Sequence, residues 1–184
     1  MHISIAGQLG SGKSTVCQLL KARHGYQIYS TGEIQRALAR KENISTLEMN
    51  KAITEAQDND IDAATTRISI EKSQAGEVVI FDSRMAWKFA QNSYRVFVTV
   101  DPQEAARRVM SHARGQEETY ATQQEACEKL IQRAQLENDR FKKIYNVDNL
   151  DPNNYDLVID STNLTPDQLA DTIYEKYCLA IQAN

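Results

Sequence analysis

Apolar and polar positions along the chain fall into two alternating regimes. Short apolar runs occur at His2–Ala6, Tyr26–Tyr29, Val78–Phe81, Arg95–Val100 and Leu157–Ile159. Each has the length of a strand buried on both faces of a sheet. Long helical patterns separate them, and several helix starts are marked. Ser45-Thr-Leu-Glu48 and Thr122-Gln-Gln-Glu125 have capping-box spacing, Asp101-Pro102 sets a cap before a proline at the first helical position, and Thr165-Pro166-Asp-Gln168 combines both signals. Strands alternating with helices predict an α/β chain with a five-stranded parallel sheet wrapped on both faces, because right-handed crossovers leave few other topologies. No repeat, low-complexity tract or linker interrupts the pattern.

Composition narrows this picture. At 184 residues the chain is expected to form one domain that buries roughly 70% of its unfolded surface. Lys+Arg 21 against Asp+Glu 25 gives a net charge of −4, which does not suggest a nucleic-acid or anionic-membrane partner. No apolar stretch approaches the roughly 20 residues that span a bilayer. The opening MHISIAG lacks the regions of a signal peptide, so a cytoplasmic protein is expected. Cys17, Cys127 and Cys178 lie far apart without C-x-x-C spacing, as reduced structural cysteines do.

The candidate chemistry begins at Gly7-Gln8-Leu9-Gly10-Ser11-Gly12-Lys13-Ser14, which follows the first strand and runs into the helical start Thr15-Val-Cys-Gln-Leu-Leu. This is the strand–loop–helix setting that G-x-x-x-x-G-K-[ST] requires. The glycines let backbone N–H groups turn inward, and the helix N-terminus adds partial positive charge to the same concavity. In such a cradle for ATP phosphates, Lys13 reaches the β- and γ-phosphates and the Ser14 hydroxyl is a ligand of Mg²⁺.

A second cluster is expected opposite the cradle. Ser30-Thr31-Gly32-Glu-Ile-Gln-Arg36 is a polar turn running into a helix, and Val78-Val-Ile-Phe-Asp82-Ser-Arg84 puts a carboxylate and an arginine at a strand's carboxyl end. Ligands of open α/β sheets sit outside that edge. Asp82 fits a partner for hydrated Mg²⁺; the alternatives are a plain helix cap for Asp82 and a solvated charge for Arg36.

Taken together, GQLGSGKS, STGEIQR, VVIFDSR, the arginine-bearing stretch near residues 121–146 and YDLVIDSTNLTPDQL resemble a nucleoside monophosphate kinase, most of all the compact cytidylate kinases of archaeal type. The branch rests on Arg133-x₆-Arg140 followed by Phe-Lys-Lys-Ile-Tyr-Asn-Val-Asp148, on Asp60-Ile-Asp62 and on the short length. Ser83 stands where that family usually has glycine. The resemblance implies a P-loop NTP-binding three-layer fold as a single domain of residues 1–184, with an acceptor-binding insert at about 32–75 and a lid with its helix at about 114–146. It implies MgATP bound by residues 7–15 and Arg108, though the neighbouring Arg107 competes for that role. Ser30, Thr31, Gly32, Arg36 and Arg84 would hold the acceptor, and Asp62, with Asp60 beside it, would be tested for contact with a cytosine amino group.

Arg133 and Arg140 lie seven residues apart and so share one helix face; the resemblance has them close over the transferring group from a mobile lid, with Lys13 and Arg84 as the other catalytic charges. The expected partners are ATP and a nucleoside monophosphate, and a monomer is expected. An adenylate kinase, another small-molecule P-loop kinase and a catalytically silent nucleotide sensor remain the alternatives. A GTPase does not, since no N-K-x-D-like segment is present.

Overall fold

The computed structural model describes residues 1–44, 48, 60–111 and 120–183. Five parallel strands form one sheet in the order β2-β3-β1-β4-β5: β1 His2–Gly7, β2 Gln27–Ser30, β3 Val79–Asp82, β4 Ser93–Thr99 and β5 Leu157–Asp160. All five predicted strands are present, shifted by a residue or two at their ends. The helices that concern the site are α1 Lys13–His24, α2 Thr31–Lys41, α3 Asp60–Gln74, α4 Ala86–Phe89, α5 Pro102–Ser111, α6 Gln123–Tyr145 and α7 Pro166–Gln182.

The period of two along the strands divides the core into two layers. Ile3, Ile5, Ile80, Tyr94, Val96 and Val98 point to one face, where Val16 and Leu20 of α1 and Leu169, Ile173 and Tyr177 of α7 cover them. Val79 and Phe81 point to the other face and pack with Ala86, Ala90 and Ile68; Ala6 and Phe97 join Tyr155 and Trp87 beside them. Burial on both faces is why the strands read as continuous apolar runs. The α/β three-layer architecture expected from the alternation is therefore the observed one.

Several buried strand residues break the apolar rule, and one of them is aromatic. His2 is fully buried. Its Nε2 lies 2.7 Å from the Ser69 carbonyl oxygen, which can only accept, so Nε2 carries the proton and Nδ1 accepts from the Val79 N–H at 3.2 Å. The imidazole thus ties α3 to the sheet in its neutral form, and burial holds its pKa below the ordinary value.

The caps behave as their sequences predict. Thr165 forms a full capping box with Gln168, and Asp101 Oδ1 accepts from Gln103 N and Glu104 N. Thr122 accepts from Glu125 N, whereas the Glu125 carboxylate reaches one residue further back, to Ala121 N. The box expected at Ser45–Glu48 lies outside the described residues, as do much of the expected acceptor insert and residues 112–119 of the expected lid. Among the described residues, no helix is long and apolar enough to cross a membrane.

Candidate active site

Register brings the carboxyl ends of β1, β2 and β3 to one edge: Ile5 and Ser30 both pair with Asp82. The loop after β1 folds there over α5. Gly10 has φ 77°, and a Cβ on it would stand 2.8 Å from the Ala105 carbonyl oxygen; Gly12, at φ 83°, is the N-cap of α1. Both positions need the left-handed region that only glycine enters cheaply. The Gln8 side chain points away from the cradle and accepts from Val100 N at 2.7 Å, bracing the loop against the end of β4. Leu9 packs into the small core between α5 and α6.

At the start of α1, Lys13 Nζ lies 2.5 Å from Asp82 Oδ1, and Ser14 Oγ donates to Asp82 Oδ2 at 3.1 Å. Asp82 is only 7% exposed. A buried carboxylate keeps its charge only when paired, and here it holds both the lysine and the hydroxyl at the mouth of the cradle. A hydroxyl beside a carboxylate is a hard oxygen set that suits Mg²⁺ when phosphate oxygens and water complete the shell. No group of three or more His, Cys, Asp or Glu side chains among the described residues could chelate a metal without such help.

Two residues past Asp82, Arg84 leaves the sheet edge and meets α6. Its Nη1 pairs with Glu137 Oε1, and the same oxygen lies 3.6 Å from Arg133 Nε. Burial pushes the pKa of Arg84 down, Glu137 opposes that, and the neighbouring charges of Arg133 and Arg140 add to it. Three guanidinium groups therefore stand within electrostatic reach of one another. Arg140 Nε is buried with no hydrogen-bond partner among the described residues, as expected of a donor shaped for an anion. Ser83 Oγ accepts from Met85 N at 3.4 Å, at the start of α4.

The helix that carries Arg133 and Arg140 is packed to the body at both ends. Ala126, Cys127 and Leu130 pack with Val100, Ala105 and Ala106, while Asn138 and Phe141 are buried further along. Asn138 donates to Asp148 Oδ1 and accepts from Asn149 N, and Asn149 Oδ1 accepts from the Trp87 indole at 2.7 Å. The arginines thus stand on a helix that packs on α5 and on the segment carrying Trp87.

The other expected acceptor residues divide between structure and cleft. Ser30 is the N-cap of α2, accepting from Glu33 N; Thr31 and Gly32 form its first turn, and Arg36 Nη1 lies 3.3 Å from where a Gly32 Cβ would stand. Asp62 accepts from the Tyr145 hydroxyl at the end of α6, beside Phe89 and Phe141. Asp60 is exposed at the start of α3. On the donor side Arg108 turns inward, donating to the Ser161 and Thr162 carbonyls after β5 at 2.7 and 3.1 Å, while Arg107 stays outside on Glu104. First Arg107 and then Arg108 hold the Glu104 carboxyl at about 2. Thr15 is exposed on α1. Sequence reasoning missed Glu137, Tyr145 and Asn138. Only Glu137 carried a signal, an acid one turn after Arg133 and one turn before Arg140.

The cytidylate kinase-like family matches residues 2–163. A cytidylate kinase of Ignicoccus hospitalis is 31% identical over 172 residues, covering 93% of this chain and 95% of that one. An S-adenosylmethionine-dependent nucleotide dehydratase of Lacinutrix mariniflava is 32% identical over 95% of this chain, but the match spans only 35% of the dehydratase. Among solved structures, a shikimate kinase from Bacteroides thetaiotaomicron has a TM-score of 0.56 at 15% identity and covers 98% of both chains, a likeness of fold.

Proposed function

The chain belongs to the cytidylate kinase-like family, and from that membership and the geometry of the sheet edge we propose that it transfers the γ-phosphoryl group of ATP to CMP or dCMP, giving the diphosphate and ADP. One observation carries the reading: Lys13 and Ser14 gather on Asp82, and two residues along the chain Arg84 joins Arg133 and Arg140 in a single cationic cluster. Phosphoryl transfer asks a protein for in-line placement and for cations around charge that spreads over the moving group. An oxygen of the acceptor's phosphate attacks the γ-phosphorus while the bond to the β-γ bridging oxygen breaks. The acceptor phosphate has a second pKa near 6 and is mostly dianionic at pH 7, so no general base is required.

The residues divide the work accordingly. The loop of residues 7–15 wraps the donor phosphates, Lys13 balances the β- and γ-oxygens, and Ser14 with Asp82 would hold Mg²⁺, which screens the same oxygens when bound. Arg108, pinned to the turn after β5, frames the donor base. Arg36 and Arg84 take the acceptor phosphate, and Arg133 and Arg140 take charge that grows in transfer. Asp62, beside Tyr145, would read the acceptor base, since its carboxylate can accept from a cytosine amino group that uracil lacks.

A coupled assay with MgATP and each monophosphate tests the reading. CMP or dCMP should turn over best, UMP less well, and AMP and GMP near background, because a site with unpaired buried polar groups can reject the wrong edge by about 10⁴–10⁵. Equal turnover of AMP would make the enzyme an adenylate kinase. ATP binding without turnover of any nucleotide would point to another acceptor or to a sensor.

A further inference from the structure

Between the two arginines of α6 sits an acid that phosphoryl transfer does not call for. Glu137 is only 15% exposed, and its Oε1 serves both Arg84 from the segment after β3 and Arg133 from α6. A carboxylate beside a phosphate site opposes phosphate binding, so its presence requires a reason. We propose that Glu137 is a positioning residue: one carboxylate oxygen holds guanidinium groups from two separate elements in the arrangement that meets the transferring phosphoryl. This rests on the function proposed above.

The surroundings support that role. Asn138, the next residue, ties α6 to Asn149, which in turn holds the indole of Trp87, three residues past Arg84. Two adjacent residues of α6 thus grip the same segment, one through neutral hydrogen bonds and one through charge. The charged tie acts on the arginines themselves, whose like charges stand within electrostatic reach of one another and of Arg140. Without Glu137 the guanidinium groups repel and swing apart, and preorganisation for the transition state is lost. Ground-state attraction for phosphate rises at the same time, because a negative charge has left the site. A residue that merely stabilises the fold would not move turnover and phosphate binding in opposite directions.

The isosteric variant Glu137→Gln tests this. The expected result is a kcat at least tenfold lower, with the acceptor KM unchanged or lower. Pyrophosphate titrated calorimetrically at low ionic strength should bind the variant as tightly as wild type or several-fold tighter. In a Glu137→Gln/Arg133→Ala double variant the two losses should be less than multiplicative, since the acid acts through the arginine. If Glu137→Gln fails to fold, Glu137→Asp replaces it and should lose at least threefold in kcat while keeping pyrophosphate affinity. A kcat within twofold of wild type, a raised KM with unchanged kcat, weakened pyrophosphate binding or fully multiplicative losses would each overturn the proposal. Pyrophosphate needs no acceptor nucleotide. Tighter binding by the variant alongside a wild type that phosphorylates no monophosphate would therefore support the electrostatic role and sink the proposed function instead.

Discussion

Lys13 is engaged by a buried carboxylate. The 2.5 Å contact with Asp82 fixes where the ammonium stands, so in the proposed reaction Lys13 would meet the donor phosphates from a held position. Replacing Lys13 with alanine removes the one positive side chain of the loop and leaves Asp82 with the Ser14 hydroxyl as its remaining partner. Stability is expected to fall by about 1–3 kcal/mol, the usual cost of leaving a buried polar group short of a partner. The fold should survive, as circular dichroism and a thermal melt would report. Steady-state kinetics should show less than about a tenth of wild-type turnover, more than ~1.4 kcal/mol of lost transition-state stabilisation. Turnover above that level would remove Lys13 from the chemistry.

At the scale of elements, α6 matters most. Its N-terminal half packs on α5 and its C-terminal half is held by the Asn138–Asn149–Trp87 chain, so Arg133 and Arg140 stand on a helix anchored at both ends. Arginines that meet charge only in the transition state are worth on the order of 10³–10⁵ in rate. Arg133→Ala and Arg140→Ala should each lower kcat far more than they raise either KM. Higher KM values with intact kcat in both variants would mean that these side chains bind the ground state only. Arg140→Ala also removes a buried Nε donor that has no hydrogen-bond partner among the described residues, at the loss of a guanidinium 5.0 Å from the centre of the Phe141 ring, so its melting temperature should change little, a second readout for the same variant.

For the whole molecule, the sheet is covered on both faces, and the cover on the α3 side depends on a neutral imidazole. His2 joins Ser69, Ser73 and Val79, and burial first, then the chain's amino terminus, hold its pKa below the ordinary 6.5, against the pull of the Ser69 carbonyl. Above pH 6.5 both the folded and the unfolded chain carry the neutral ring, and this group contributes no pH dependence. As the pH falls below about 6.5 the unfolded chain takes up the proton first, so stability drops with acidification by at most about 1.4 kcal/mol per pH unit from this group. Chemical denaturation at pH 7.5 and at steps down to pH 5 should show the decline, and His2→Gln should flatten it. An unchanged slope in the variant would assign the acid sensitivity elsewhere.

The glycine-rich turn between β1 and α1, the five strands and the described helix caps were legible in the sequence because each is a local signal. GQLGSGKS places its glycines within a single loop, strands buried on both faces read as apolar runs, and Thr165 and Gln168 are three residues apart. The shared face of Arg133 and Arg140 follows equally from helical geometry alone. Tertiary structure decided whatever depends on a partner far along the chain. It set the Gln8 side chain as a brace on Val100, and made Ser30 the cap of α2. It tied Arg108, and not Arg107, to the turn after β5. It gave Glu137 to Arg84 and Asp62 to Tyr145. Period and capping arise from bonds within a few residues. Which side chain meets which across the sheet edge depends on strand order and helix docking, and those are properties of the packed core.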